Sequence, residues 1–411
     1  MQPSPYTPGQ IARQVPGRDE QLADIDEQIS LMADLGEFIG RIRVDAAPRG
    51  MGKTSILSQV DQLAKGRGAV TVWAAGGAGD SLIGAIADRI DRQLRAWDGE
   101  RPPKRSKHSK LRRILDRLTV KLIVGVPGVA QVEASVEPAG KSGTTTGAGN
   151  RPTDPTLEFE ELITETVAAA QQEGHSGLVL LIDEIQSADP AGLSTLAHTW
   201  QNLQRRVGGP LRAAVFAAGT PDAEDALRKA ATFSERFHYP VLGPLSDQAV
   251  RTALTAPARE RGVSWQVDAL DAAVRFAEGF PFTVQLVGDE AWRAAGRPAP
   301  GGTLTLDQVR TGIERAAEQL VRLHRTRWAD ATPAERKLLR AMARIAADTG
   351  SPSVARSDIA AALHTSSTSL SELRERLITK GVIRPTSRGR LGFTVNGFGD
   401  YVLQGNLDPD D

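Results

Sequence analysis

The spacing of apolar residues changes period repeatedly along the chain, and each change marks an element. Leu22, Ile25, Ile29 and Met32 recur at helical spacing, and Arg41 to Ala46 follows as a short strand. Its arginines sit awkwardly, because a central parallel strand covered on both faces should be continuously apolar, so Ile42 and Val44 are the expected buried positions. Ile56, Leu57, Val60 and Leu63 then give a helical face that stops at Gly66 and Gly68. Val70 to Trp73 reads as a second strand, and Leu82, Ile83, Ile86, Ile90, Leu94 and Trp97 as a second amphipathic helix. Further on come a helix from Thr156 to Gln172 and an apolar strand from Leu178 to Ile182. A helix from Ala191 to Arg206 carries Leu193, Leu196, Trp200 and Leu203 on one face, and Leu211 to Ala218 and His238 to Leu242 read as strands. Strands alternating with helices predict an α/β class with a parallel sheet.

From Ser246 the pattern becomes helical, first to about Ala295 and then, past a Pro/Gly linker at 297–302, in a long helix from Leu306 to Trp328. Thr332, Pro333 and Glu335 have the form of a capping box with proline at the first helical position, and Leu338, Leu339 and Met342 continue that helix. Ser357 is placed to cap a short helix from Asp358 to Leu363, and Ser369 and Glu372 to start a third, with Leu370, Leu373, Leu377 and Ile378 as its face. Strands at Val382 to Arg384 and Leu391 to Val395 follow, joined by a basic loop from Pro385 to Arg390. Three helices and a hairpin predict a winged helix.

The stretch at about 100–155 reads as an insertion. Arg101, Lys104, Arg105, Lys107, Lys110, Arg112 and Arg113 come with no acid among them, as either a phosphate-gripping patch or a solvated loop. Val120 to Val136, with a central Pro-Gly, has the composition of a β-hairpin, and Pro138 to Pro155 that of a flexible loop.

With 411 residues the chain exceeds one ordinary core, so two or three domains are expected. Lysine plus arginine equals aspartate plus glutamate at 50 each, which excludes a globally basic nucleic-acid coat and leaves local patches. The absence of cysteine excludes a disulfide, a thiolate zinc site and a cysteine nucleophile. No apolar run approaches the ~18 residues of a membrane span. The Pro-rich start lacks the features of a signal peptide, so a cytoplasmic protein without a membrane partner is expected.

Candidate chemistry centres on Ala47-Pro48-Arg49-Gly50-Met51-Gly52-Lys53-Thr54-Ser55. Glycines at 50 and 52 let the backbone turn tightly and aim its N–H groups at an anion, and the helix that follows adds its positive dipole end. Lys53 would reach the β- and γ-phosphates of ATP, and Thr54 would hold Mg²⁺. Ala47 replaces the more usual glycine, which costs little if that position is not at positive φ. In the second stretch, Asp183 and Glu184 end an apolar strand where open α/β sheets place their ligands. Asp183 suits the Mg²⁺ shell, and Glu184 suits deprotonation of the attacking water. Thr220 ends another strand, where a polar side chain can sense the γ-phosphate. Arg236 either reaches a neighbouring subunit's nucleotide or pairs with Glu235 or its own surface. Gly279-Phe280-Pro281 either sets a rigid proline against an adenine ring or breaks a helix.

These pieces resemble the AAA+ and STAND class of P-loop ATPases, in particular bacterial and archaeal ATPases close to the replication-initiator, or origin-recognition, group. Ala47 to Thr54 resembles the Walker A motif and Leu178 to Glu184 the Walker B motif. Val15 to Glu20, with Gly17 and Arg18, is similar to the adenine-side motif of STAND proteins, and Gly279 to Pro281 to their lid motif. The resemblance implies a P-loop core at 15–245 after an N-terminal tail at 1–14, a helical lid at 246–300, a linker helix at 303–330, a winged helix at 331–405 and a tail at 406–411. It implies ATP and Mg²⁺ as cofactors, homo-oligomer assembly, and double-stranded DNA as partner through Arg374, Arg384, Arg388 and Arg390. An adaptor switch whose winged helix binds protein is the alternative, since Glu372 and Glu375 offset Arg374 and Arg376. Phe282-Thr283-Val284 lacks the lid arginine usual in initiators, and Thr220 stands where other members use Asn or Arg, which favours slow turnover.

Overall fold

The computed structural model describes residues 2–77, 81–99, 107–124, 154–205, 211–366, 369–387, 389–395 and 397–404. Four parallel strands form its central sheet: β1 (Arg43–Ala46), β2 (Val70–Ala75), β3 (Leu178–Asp183) and β4 (Ala213–Gly219), in the order β1-β4-β3-β2. On the free side of β1, residues 238–242 continue the hydrogen bonding, with Val44 N–H donating to His238 O at 2.7 Å and Leu242 N–H to Ala46 O at 3.0 Å. They do so as two isolated bridges rather than the regular strand expected, because Pro240 has no N–H to donate.

Helices cover both faces. α1 (Asp19–Ala33) and α2 (Lys53–Gly66) pack on one, where Val179 and Leu181 of β3 point. α3 (Leu82–Asp98), α4 (Ser109–Val124), α5 (Pro155–Gln172) and α6 (Pro190–Arg205) lie on the other, against Leu178, Leu180 and Ile182. Both sets of alternate residues are buried, so β3 reads as an unbroken apolar run.

β1 departs from expectation, since Arg43 is 1% exposed and Asp45 fully buried. Arg43 donates from Nε and Nη2 to the two oxygens of Asp45, both at 3.0 Å, and from Nη1 to Asp24. Burial pushes the Asp45 carboxyl up, and the Arg43 guanidinium pulls it back. A neighbouring pair with fork geometry thus carries charge into the sheet.

The insertion also differs. Residues 120–124 continue α4 as helix instead of opening a hairpin, and 125–153 lie outside the described residues. Of the basic block, Lys110 pairs with Glu165 at 2.6 Å, Arg112 with Asp98 at 3.1 Å, and His108 faces Glu173 at 3.2 Å. Acids on α3, on α5 and at the end of α5 thus already answer part of that charge.

Next come α7 (Ala223–Ala230), α8 (Asp247–Glu260), α9 (Val267–Ala277) and α10 (Pro281–Ala294), then α11 (Leu306–Ala329). Two residues each of β5 (Ser264–Trp265) and β6 (Thr303–Leu304) pair within this helical stretch. Residues 2–8 of the stretch expected as a tail are packed into it: Tyr6 is 2% exposed, edge-on to Trp265 and Trp292, and its hydroxyl bonds Leu254 O.

The C-terminal unit holds α12 (Pro333–Thr349), α13 (Arg356–Ala362), α14 (Ser371–Thr379) and α15 (Phe398–Leu403). Its antiparallel sheet of β7 (Val354–Ala355), β8 (Ile383–Ser387) and β9 (Arg390–Phe393) has the order β7-β9-β8. Thr332 and Glu335 form the expected reciprocal cap of α12. Ser357 lies inside α13, whose cap is Ala355 because β7 runs straight into the helix; α14 starts at Ser371, after Leu370.

Candidate nucleotide site

β1, β3 and β4 all end at one edge of the sheet, and the candidate residues collect there. The loop after β1 has Gly50 at φ 85° and Gly52 at φ 86°, a region that glycine enters without cost. Outside glycine, positive φ among the described residues occurs at Glu184, Glu278, Arg297 and His364. Ala47 therefore fits its position without strain, fully buried with its N–H on Gly219 O at 3.1 Å. Pro48 and Met51 are buried and Arg49 is exposed.

Lys53 opens α2 and is 5% exposed; its Nζ donates to Ala47 O at 2.9 Å and Pro48 O at 3.2 Å. Burial lowers its pKa, opposed by the carboxylates of Glu184 and Asp183. An anion in the loop would relieve that burial penalty by offering the ammonium a charge-matched acceptor. Thr54 Oγ1 donates to Asp183 Oδ2 at 2.7 Å, which sets two oxygen donors suited to a hard cation side by side. Ser55 Oγ faces away from this pair and accepts the Ala12 N–H at 3.1 Å.

Glu184 has the left-handed backbone φ 49°, and its N–H bonds Asp183 Oδ1 at 2.9 Å. Thr220 is 7% exposed, with its hydroxyl on Asp222. Arg236 closes a 3-10 turn at Thr232–Arg236; it is exposed and makes no ion pair among the described residues, with Glu235 or any other acid.

A cleft beside the loop is lined by Ala12, Gln14, Val15, Pro16, Arg18, Met51, Gly52, Ser55, Leu245, Pro281 and Gln285. It brings the Val15–Glu20 motif, the phosphate-type loop and the Gly-Phe-Pro motif together. Gly17, at φ 76°, lies against α8 so tightly that a Cβ would stand 2.4 Å from Ala249 Cβ. Arg18 is buried and donates to Gly243 O at 2.6 Å; burial lowers its pKa, with Asp45 opposing. Pro281 is the first residue of α10 and lines the cleft. Phe282 N–H donates to Gly50 O at 3.3 Å, so α10 holds the loop directly.

The C-terminal unit abuts the same place. A Cβ on Gly381 would lie 3.9 Å from Arg49 N, and the Arg384 guanidinium stands 5.6 Å over the ring of Phe280. Arg327, on α11, donates to Gly381 O at 2.9 Å and Thr394 Oγ1 at 2.8 Å; burial and the nearby Arg49 lower its pKa to about 10. Leu286, Ala316, Leu320 and Val395 close an apolar seam alongside. Of the four arginines expected on DNA, Arg384 thus faces the lid motif, Arg390 donates to Ser353 Oγ at 3.0 Å, Arg374 pairs with Glu375, and Arg388 lies outside the described residues.

Sequence reasoning missed Tyr6, Asp45, Gln186 and Arg327. None falls on a periodic pattern, and only the awkward arginine of β1 gave a signal.

Residues 14–216 match the family model of an AAA ATPase domain, and residues 321–402 that of a domain of unknown function, DUF8462. The ORC2 protein of Aeropyrum pernix, solved with ADPNP and ADP, is similar over 97% of this chain and 94% of its own, with 15% identity and a TM-score of 0.54. Its ADP form covers 97% of both chains at 15% identity and a TM-score of 0.52. A Walker-type ATPase of Pyrococcus abyssi covers 98% of this chain and 99% of its own at 13% identity and a TM-score of 0.54. No curated protein matches the chain in sequence. Residues 14–216 thus carry an AAA ATPase domain, and the chain has the α/β fold that these neighbours share. Among the described residues no helix is long and apolar enough to cross a membrane.

Proposed function

We propose that the chain is an ATP-hydrolysing switch whose nucleotide state governs subunit assembly and the engagement of double-stranded DNA by the C-terminal unit, acting as a winged helix. The observation that carries this reading is the contact of 381–384 with Arg49 and Phe280, through which a change in the phosphate loop reaches the C-terminal unit. ATP phosphates would replace the loop carbonyls on Lys53, and Thr54 and Asp183 would hold Mg²⁺, which when bound would offset the phosphate charge. Glu184 takes a proton from water while the water oxygen bonds to the γ-phosphorus and the bridging P–O bond to ADP breaks. Arg236, exposed and with no ion pair among the described residues, serves the nucleotide of a neighbouring copy in a homo-oligomer.

Arg384 cannot stack on Phe280 and grip a DNA phosphate at once, so docking and DNA engagement compete. Arg374, Arg388 and Arg390 add phosphate contacts on the freed unit. A second reading, in which the freed unit binds a protein, is favoured by Arg374 being neutralised by Glu375. The test is ATP turnover with and without duplex DNA, for the wild type, Lys53→Ala and Glu184→Gln. Turnover that duplex DNA changes, lost in both variants with ATP binding lost only in Lys53→Ala, is expected. Turnover indifferent to DNA, with no duplex bound in any nucleotide state, favours the protein partner.

A further inference from the structure

Gln186 joins two parts of the site that the Walker motifs leave separate. It lies in the 3-10 turn Ile185–Ser187, directly after Glu184. Its Nε2 donates to Glu184 Oε2 at 2.5 Å, and its Oε1 accepts the Thr220 N–H at 3.0 Å. The second bond fixes the orientation of the amide: a backbone N–H only donates, so the amide oxygen must face β4 and the NH₂ must face Glu184. Gly219, just before Thr220, makes room for this, because a Cβ there would stand 2.8 Å from Gln186 Oε1 and 2.7 Å from Ala223 Cβ. The left-handed backbone of Glu184 and the Ser187 N–H on Glu184 O at 2.8 Å set the turn that brings the amide back over the carboxylate.

We infer that Gln186 is a positioning residue for Glu184. It clamps the carboxylate to the end of β4, so that the place of the proton acceptor follows the strand end that faces the γ-phosphate. The inference rests on the ATPase reading above and assigns the residue that sets its geometry. Among the described residues Gln186 forms no hydrogen bond with the loop of Lys53, so it acts on turnover and not on nucleotide binding.

The experiment compares kcat and KM for ATP, at saturating Mg²⁺, in the wild type, Glu184→Gln, Gln186→Ala, Gln186→Glu and the double variant Glu184→Gln with Gln186→Ala. Gln186→Glu keeps the size of the side chain and the acceptor for Thr220 N–H, but replaces the donor to Glu184 with a like charge. It therefore separates positioning from a mere role in the turn. Expected are kcat losses of about tenfold or more in Gln186→Ala and Gln186→Glu, with KM within about threefold, and no further loss when Gln186→Ala is added to Glu184→Gln. Wild-type kcat in Gln186→Glu, a change confined to KM, or a full additional loss in the double variant would overturn the inference while leaving the ATPase reading intact. Equal turnover in the wild type and Glu184→Gln would instead remove Glu184 as the proton acceptor, and the positioning role with it.

Discussion

Gly279 has φ 76°, and a Cβ there would stand 2.4 Å from Leu245 O, 2.9 Å from Pro244 Cβ and 3.1 Å from Leu245 N. In Gly279→Ala the left-handed backbone alone costs roughly 1–2 kcal/mol. The clash falls on backbone held by the Leu245 N–H bond to Gly279 O at 2.8 Å, and relieving it adds about 1–3 kcal/mol. Relief moves Phe280 to Phe282 away from 244–245, which draws Phe282 N–H off Gly50 O and opens the wall formed by Pro281. If about 1.4 kcal/mol of that displacement has to be reversed on binding, ATP affinity falls tenfold. The matched control is Gly296→Ala at φ 70°, where a Cβ meets nothing within 4 Å, so it carries the backbone cost without the clash. ATP affinity by equilibrium titration and Tm by thermal melting are read for both variants. Gly279→Ala should lose both stability and affinity, and Gly296→Ala only the backbone share of the stability, with affinity unchanged. Equal ATP affinity in the two variants would refute the link between the Gly-Phe-Pro segment and the phosphate loop.

Two predictions concern packing. Asp45→Ala leaves Arg43 buried with only the half-exposed Asp24 as a partner, and breaking such a pair costs about 3 kcal/mol or more, a Tm loss of about 6–12 °C; Asp24→Ala should cost under about 1 kcal/mol, and equal losses in thermal melts would contradict the assignment. Tyr6→Ala should cost about 3–5 kcal/mol by emptying the space between Trp265 and Trp292, whereas Tyr6→Phe should cost about 1–3 kcal/mol for the hydrogen bonds lost at Leu254 O and the Trp265 indole N–H; chemical denaturation showing no loss in either would return residues 2–8 to the status of a tail.

Elements with a strong period were legible in the sequence. The apolar run before Asp183 and the glycines around Lys53 located the edge where the site forms, because buried parallel strands and anion-holding loops each demand a narrow choice of residues. The hairpin expected from Val120 is helix as far as Val124, since Val and Ile occur in helices as well as strands. Arg43 was judged out of place because its acceptor is Asp45, two positions along the same strand, a pairing that hydropathy does not register. Tyr6 and Gln186 were invisible for a related reason: their partners lie 248 and 34 residues away in sequence, and only the fold brings them together. The placement of Arg384 over Phe280 was also not legible, because composition gives a residue's charge and not the direction it faces.

The most direct test of nucleotide-controlled docking is a distance between α2 and α13. The chain has no cysteine, so Gln62→Cys and Ala361→Cys, both at exposed positions, give a unique pair of labels. The distance distribution is measured by pulsed electron resonance on the Glu184→Gln background, nucleotide-free, with ADP and with ATP, and again with Lys53→Ala added. A distribution that moves between the ADP and ATP states and stops responding when Lys53 is replaced is the expected result. One that stays the same in all nucleotide states, with ATP demonstrably bound, would contradict control of the C-terminal unit by the phosphate loop.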